Sequence, residues 1–473
     1  METVQNSRRN TLKVAVVGGG MCGVAVTAGL LKAGIDVHLY EAAPEFGEIG
    51  AGVGLGVNAI RILQELGMLD EIVESVKPEL PVPRAVLYRS GIGDHRILFD
   101  HVLNSDDKGL GIHRAIFLNS ILPLVDPRKT HLNKRCINLH INNSGPNTPR
   151  VRLVFSDGTE AEADVVLGAD GIRSIVRTFV VGDEERDNDV PQLDVMRINF
   201  TYTYAYRGLI DSDKLRSHGI LTNLDERPQC FCGSGKHVIT FPISGGTIIN
   251  VVAFTCDHTL PWGVQSLPPG TPWVTPRPQD ELLKAFSGWG PDVMNVLESL
   301  THPSAWAVHV VDPPLESYVG KGLRGRVALL GDAAHGMLPH LGAGAGQGME
   351  DVYALVRLLG HPQVSRDNVE DILKTYDALR RPRANKVLVE STRCGAFYDG
   401  FGPHGSGVSR SSSSKAIDPS SQETGDNNLE SGIRADLEEN MKKIFDWVWH
   451  YDLREEVDVA IETPVQKSIL SSK

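Results

Sequence analysis

Residues 11–41, TLKVAVVGGGMCGVAVTAGLLKAGIDVHLYE, decide the fold of this chain. The stretch from Leu12 to Val17 is a Val-rich run of strand length. Gly18, Gly19 and Gly20 break it, and the next thirteen or so residues are small and apolar over the length of a helix. Residues 35–40 form a second strand, so the segment is a βαβ unit. Gly18, Gly20 and Gly23 fit GxGxxG between strand and helix, and Glu41 closes the second strand. That combination is a dinucleotide cradle. The glycines let backbone N–H groups approach a pyrophosphate at a helix N-terminus, and the acidic side chain accepts from ribose hydroxyls. A Gly-rich turn without a ligand leaves Glu41 unexplained. The unit alone does not separate FAD from NAD(P).

Working outward, 473 residues with 41% apolar and 22% charged side chains make a large globular protein, unusually rich in glycine at 48. Forty-seven basic against 59 acidic side chains give a formal charge of −12, which argues against nucleic acid as a partner. Cys22, Cys136, Cys230, Cys232, Cys256 and Cys394 lack the paired spacing of a zinc site, so no metal is expected. Their scatter suits a reducing compartment. The polar N-terminus shows no cleavage site, and no run of about 18 apolar residues occurs. The expectation is a cytoplasmic protein without a membrane span.

Hairpins are predicted at 83–100 and at 151–166, the second around Ser156, Asp157 and Gly158. Between about 190 and 310 the pattern is strand-rich. Phe200, Tyr202, Tyr204 and Tyr206 alternate with Thr201, Thr203, Ala205 and Arg207, in a strand expected to end at Arg207. Strands are also predicted over 237–243, 247–255 and 327–330, with a Pro- and Gly-rich loop over 258–278. Helices are predicted over 115–122, 346–359, 369–389 (interrupted at Pro382) and 434–449. Residues 402–431, dominated by Ser, Gly and polar side chains, read as an exposed, poorly ordered insertion.

Two further segments choose the cofactor. Asp164–Gly171 reads DVVLGADG and is followed by IRSIVR, ending at Arg177; Arg326–His335 reads RVALLGDAAH and leads through Pro339 to GAGAGQG at 342–348. These resemble the DG and GD motifs of the single-component flavoprotein monooxygenases, the p-hydroxybenzoate and salicylate hydroxylase group. The resemblance spans about residues 12–395 and is strongest to salicylate hydroxylase-like and fungal polyketide hydroxylase-like enzymes. It implies an α/β fold: a Rossmann-type FAD-binding domain in three pieces (11–80, 106–185, 319–400), with an interleaved, mainly antiparallel β-sheet substrate domain (81–105 and 186–318). The loop 402–431 and a helical segment over 432–473 follow. It assigns FAD contacts to Gly18, Gly20, Gly23, Glu41, Gly52, Gly54, Arg114, Asp170, Asp332, Gly344 and Ala345. Physically, a carboxylate at Asp332 reaches the ribityl and pyrophosphate region, and the helix beginning near Gly346 directs its positive end at the flavin. Asp170 and Asp332 could also serve as turn or cap residues, and Arg114 as a surface residue at a helix start. Thr27 stands where Gly or Ala is usual, so looser helix packing is expected there.

The family cycle is implied too: NADH or NADPH reduces FAD, O2 adds at flavin C4a, and the hydroperoxide delivers one oxygen to a phenolic or salicylate-like ring. Such a substrate needs a fixed positive charge to favour its phenolate. Arg207 is the candidate, its alternative being a strand-end ion pair. His237 is either a structural histidine or a substitute for the hydroxyl that Phe241 lacks where some relatives have Tyr. Epoxidation, Baeyer–Villiger oxygenation and plain flavin reduction remain alternatives. A halogenase is disfavoured, because Trp447-Val448-Trp449 is not followed by Ile-Pro. The partners expected are O2 and a small aromatic molecule, the protein being monomer or homodimer.

Overall fold

The computed structural model describes residues 12–47, 52–75, 82–83, 86–102, 107–142, 150–182, 196–263, 266–268, 270–404 and 422–471. Its first layer is a five-stranded parallel sheet in the order Val327–Leu329, Val165–Gly168, Lys13–Val17, Asp36–Tyr40, Thr130–His131. Lys13–Val17 and Val165–Gly168 are nearly continuous apolar runs because helices cover them, whereas Asp36–Tyr40 alternates. Met21–Lys32 and Gly344–Leu359 pack together on one side, with Gly29 set against Val356 where a Cβ would come within 2.6 Å. Thr27 is fully buried and its hydroxyl donates to the Gly23 carbonyl (2.7 Å), so the helix is closely packed there, contrary to expectation.

The second layer is an eight-stranded sheet: Val274–Pro276, Ser304–Val311, Ile198–Asp211, Ile248–Cys256, Lys236–Ile243, Gln229–Gly233, Leu87–Ser90, Ile97–Asp100. Every pair is antiparallel except Gln229–Gly233 against Leu87–Ser90. The predicted hairpin near 83–100 is thus an edge of this sheet; residues 84 and 85 lie outside the described ones.

Several boundaries differ from the sequence reading. The central strand does not end at Arg207 but runs to Asp211, since residues 208–211 continue the ladder with Ile248–Asn250 and Val251. Its alternation breaks between Phe200 and Tyr204, where the register against the neighbouring strand shifts and Tyr202 adopts φ 54. Thr201 and Thr203 therefore turn to backbone carbonyls, of Val308 and Thr201, instead of lining a cavity with Ala205. The stretch 159–166 is two strands. Glu160–Ala163 pairs with Arg150–Phe155, and the chain then changes sheets at buried Asp164, which accepts from Lys13 N and Arg366 Nε. A short strand, Val274–Pro276, interrupts the predicted loop.

Pro382 does not interrupt its helix, which runs unbroken over Val369–Tyr398. A proline removes one backbone bond; here Arg380 and Arg383 flank it, and both donate to buried Glu350 (2.7 Å each) while Arg380 also holds Asp351 (2.8 Å). The C-terminal helix begins at Gln422, not 434, and a further helix spans Leu453–Ser471. Of the predicted disordered insertion, residues 405–421 lie outside the described ones. Among the described residues, no helix is long and apolar enough to cross a membrane.

Candidate active site

The two layers enclose one large cavity of about 1520 Å³, above the ~300–1,000 Å³ usual for a single small ligand. Gly18, Gly20, Glu41, Gly52, Gly54, Arg114, Asp170, Asp332, Gly344, Ala345 and Arg207 all line it. Gly23 does not. It is needed for a close approach, since a Cβ there would sit 1.9 Å from the Gly18 carbonyl oxygen.

One end of the cavity is polar and built from backbone. Gly18 has φ +105, and a Cβ on it would meet the Ala169 carbonyl at 2.4 Å. The helix Met21–Lys32 starts at Gly20 with no side-chain cap and no acidic residue in its first turn, so its N–H groups and positive pole face the cavity. Glu41 accepts from Gly19 N (2.5 Å) and Ala43 N (2.7 Å), which fixes the glycine turn. The helix Gly344–Leu359 likewise begins at the cavity without a side-chain cap.

The two motif aspartates do different things. Asp170 accepts from Ser174 Oγ, Ile175 N (2.8 Å) and Val176 N (3.1 Å), capping the helix Ile175–Val181. Burial pushes its carboxyl up, against those hydrogen bonds. The Asp332 side chain is exposed in the cavity and, among the described residues, its carboxylate makes no hydrogen bond. Arg177 joins the two motifs. Wholly buried, it donates to the carbonyls of Ile172, Asp332, Ala333 and Met196. Burial pulls its guanidinium down to about 10. The motif places Arg177 only as its last residue; three of its four carbonyl acceptors, on Met196, Asp332 and Ala333, lie outside that segment and leave no local signal.

The other end is apolar. Ala205, Ile239, Phe241, Val252, Phe254 and Trp306 share one face of the large sheet, with Arg207 the cation among them. Arg207 lies 5.0 Å from the centre of the Trp306 ring. Among the described residues it makes no hydrogen bond and no ion pair. Burial, and then the charge of nearby Arg114, lower its affinity for its proton. Phe241 abuts Gly52, whose Cβ would stand 3.3 Å from the ring. His237 does not line the cavity; it is buried behind it, bonded to Asp399. Phe445 and Trp449 reach the wall from the C-terminal helix, a contribution that amphipathic patterning did not reveal. At the mouth, Trp273 stacks on His309 (3.5 Å) and under Arg173 (3.8 Å). Cys256 and His258 come within 4.8 Å of the sequence-distant Asp399, a spacing a metal could use; His258 and Asp399 are already bonded to each other at 2.8 Å.

An uncapped helix terminus, a turn that excludes side chains, a free carboxylate at Asp332 and a long adjoining cleft fit an adenine dinucleotide carrying a second ring system. The comparisons agree. A family model described as FAD binding domain matches residues 11–95 and 314–391. Salicylate hydroxylase from Pseudomonas putida is 36% identical over 470 residues, covering 96% of this chain and 95% of that protein. The 6-methylsalicylate 1-monooxygenase atA of Aspergillus terreus is 34% identical over 393 residues, 81% of this chain and 82% of that one. A solved salicylate hydroxylase substrate complex superposes with TM-score 0.75 at 33% identity, covering 95% of this chain and 98% of the other. By sequence, fold and cavity alike, this chain belongs to the FAD-dependent aromatic monooxygenases, as a salicylate hydroxylase-like member.

Proposed function

We propose that this enzyme uses NADH or NADPH and O2 to hydroxylate a phenolic, salicylate-like anion lying between Arg207 and the flavin. The observation that carries this reading is Arg207 itself: a largely buried guanidinium, without a carboxylate partner among the described residues, in an otherwise apolar wall. Such a charge is costly unless a ligand supplies the counter-ion. A phenolate or an aromatic carboxylate does so, and the surrounding Phe241, Phe254 and Trp306 pack its ring. The similar salicylate hydroxylase and 6-methylsalicylate 1-monooxygenase support the same chemical class.

FAD, when bound, supplies the redox and oxygen-transfer chemistry. The residues proposed to hold it are Gly18, Gly20, Gly23, Glu41, Gly52, Gly54, Arg114, Asp170, Asp332, Gly344 and Ala345. Glu41 and the uncapped helix suit the adenosine and pyrophosphate, Asp332 the ribityl hydroxyls. Asp170 acts by shaping the loop, because its oxygens are committed to the helix it caps. Arg207 orients the substrate and favours its ionised form. The apolar wall excludes water from the reacting face.

Purified holoenzyme, supplied with NADH or NADPH, should consume reductant faster in the presence of salicylate-type phenols, with product mass showing one oxygen gained, with or without loss of CO2. Stimulated reductant consumption with no oxygen in any product would instead support flavin reduction alone.

A further inference from the structure

Where the strand Ile248–Cys256 ends, three side chains with metal-binding atoms converge. Cys256 Sγ, a ring nitrogen of His258 and a carboxylate oxygen of Asp399 all lie within 4.8 Å of one another. None of the three lines the flavin cavity. Cys256 is half-buried, the His258 side chain is 20% exposed, and the Asp399 side chain is buried at 3%. The cluster is therefore open to solvent on the His258 side and closed on the Asp399 side.

The surrounding chain holds these groups in place. Cys256 N donates to the Gly235 carbonyl (2.9 Å), and Gly235 N donates to the Asp399 carbonyl (3.0 Å). One glycine thus ties the strand end to the end of the helix Val369–Tyr398. Asp257 accepts from Thr259 N (2.9 Å) and Thr259 Oγ1 (2.6 Å), a turn that carries His258 at its centre. Phe401 stacks on the His258 ring (4.2 Å) and fixes its plane. The two oxygens of Asp399 have separate partners. One accepts from His237 Nδ1 (2.7 Å), and the other lies 2.8 Å from His258 Nε2. The bond to His237 persists when the second oxygen exchanges its partner for a metal, and such an outer contact orients a ligating carboxylate.

We propose that Cys256, His258 and Asp399 bind a divalent first-row transition metal ion, zinc above all, with water in the fourth position. A thiolate and an imidazole select against magnesium and calcium, and a mixed sulfur, nitrogen and oxygen set suits tetrahedral zinc. Bond lengths of ~2.0–2.3 Å place tetrahedral ligand atoms roughly 3.3–3.7 Å apart. His258 and Asp399, at 2.8 Å, need to part by about half an ångström, a small rotation for the partly exposed imidazole. Charge balances as well. One thiolate and one carboxylate neutralise a divalent ion, so buried Asp399 keeps a counter-charge when it gives up its bond to His258. The metal binds the thiolate and the neutral imidazole, and the protons they give up go to water. No electrons are exchanged. Asp399 stands 141 residues from His258, so the spacing of the cysteines does not announce the site. The ion clamps the strand end to the helix end, outside the flavin cavity, and acts on stability and not in the oxygen chemistry.

The test uses the holoenzyme, dialysed against a chelator and then freed of it, with Co2+ as the visible probe. One equivalent should raise a thiolate-to-cobalt charge-transfer band and tetrahedral bands to the red of the flavin, and Zn2+ should abolish both. Zn2+ should also raise the thermal midpoint of the wild type. In Cys256→Ser the charge-transfer band should vanish. In Cys256→Ser and His258→Gln alike, Zn2+ affinity, read by competition with a chromophoric chelator, should fall at least tenfold, with flavin content unchanged and the midpoint no longer responding to Zn2+. A wild type without the charge-transfer band overturns the site, and so does a band that persists in Cys256→Ser. Wild-type Zn2+ affinity in His258→Gln would mean a cysteine binding alone, which overturns it too. If Cys256→Ser fails to retain FAD, the affinity of His258→Gln decides.

Discussion

Single residues carry the chemistry proposed here, and each has a distinct expected signature. Arg207→Met should retain FAD at the wild-type ratio yet lower kcat/KM for the true substrate by ~2–4 kcal/mol, the usual range for losing a charged hydrogen-bond partner in a dry site. Steady-state kinetics with a flavin-to-protein absorbance ratio checks both halves. Asp332→Ala should lower that ratio after gel filtration; an unchanged ratio would remove Asp332 from the FAD contacts. His340 gives a pH prediction. Burial, with the charges of His237 and His258 nearby, lowers its proton affinity on folding, from the ordinary 6.5 to about 3. The unfolded chain therefore binds a proton that the folded one refuses, and stability is intact above 6.5 and lost as pH falls. The loss amounts to ~2 kcal/mol by pH 5. His340→Gln should flatten the fall in denaturation midpoint between pH 6.5 and 5. At this scale the cavity positions of Gly18, Gly20, Glu41, Asp332 and Arg207 were legible because each occupies a motif or a strand position with a mechanical reason. Asp399 and His258 were not. Asp399 meets His237 across 162 residues and His258 across 141, and nothing local announces such a meeting.

Elements follow the sequence where periodicity or turn chemistry governs them. The βαβ unit and both motif strands lie where the Val-rich runs and glycines put them. The sequence reading failed where tertiary contacts override a local rule. The break at Phe200–Tyr204 is invisible in a strictly alternating stretch, because it is imposed by the neighbouring strand. Pro382 is tolerated because buried ion pairs pin the helix on either side of it. Burial raises the proton affinity of the Glu350 and Asp351 carboxyls, but their partners outweigh it and hold both below the usual range: Arg380 and Arg383 for Glu350, His335 and Arg380 for Asp351. Arg380→Met should thus cost ~3 kcal/mol, the lower end for breaking a buried pair, since Arg383 still holds Glu350 and His335 still holds Asp351. Urea unfolding with FAD present would measure it, and a loss below about 1 kcal/mol would show that Pro382 is tolerated without that network.

For the whole molecule, the cavity lies between the parallel sheet and the eight-stranded sheet, so a ligand that fills it touches both. FAD should stabilise the folded chain by ~2.7 kcal/mol at a hundredfold excess over its Kd, and calorimetry of apo and holo protein should show the change across the entire transition. A shift confined to one part of a split transition would mean the two layers unfold independently. The long helix Val369–Tyr398 ties the same two regions together. Arg380 on it holds the helix that starts at the flavin end, and Asp399 at its C-terminus anchors His237 and His258. At about 1.5 Å per residue the nineteen intervening steps make a ruler of roughly 28 Å. Such a ruler is graduated in angle as well as length. Deleting one residue between the two marks would swing Asp399 by about 100° about the helix axis, leaving the ion pairs intact and disconnecting the histidines from them.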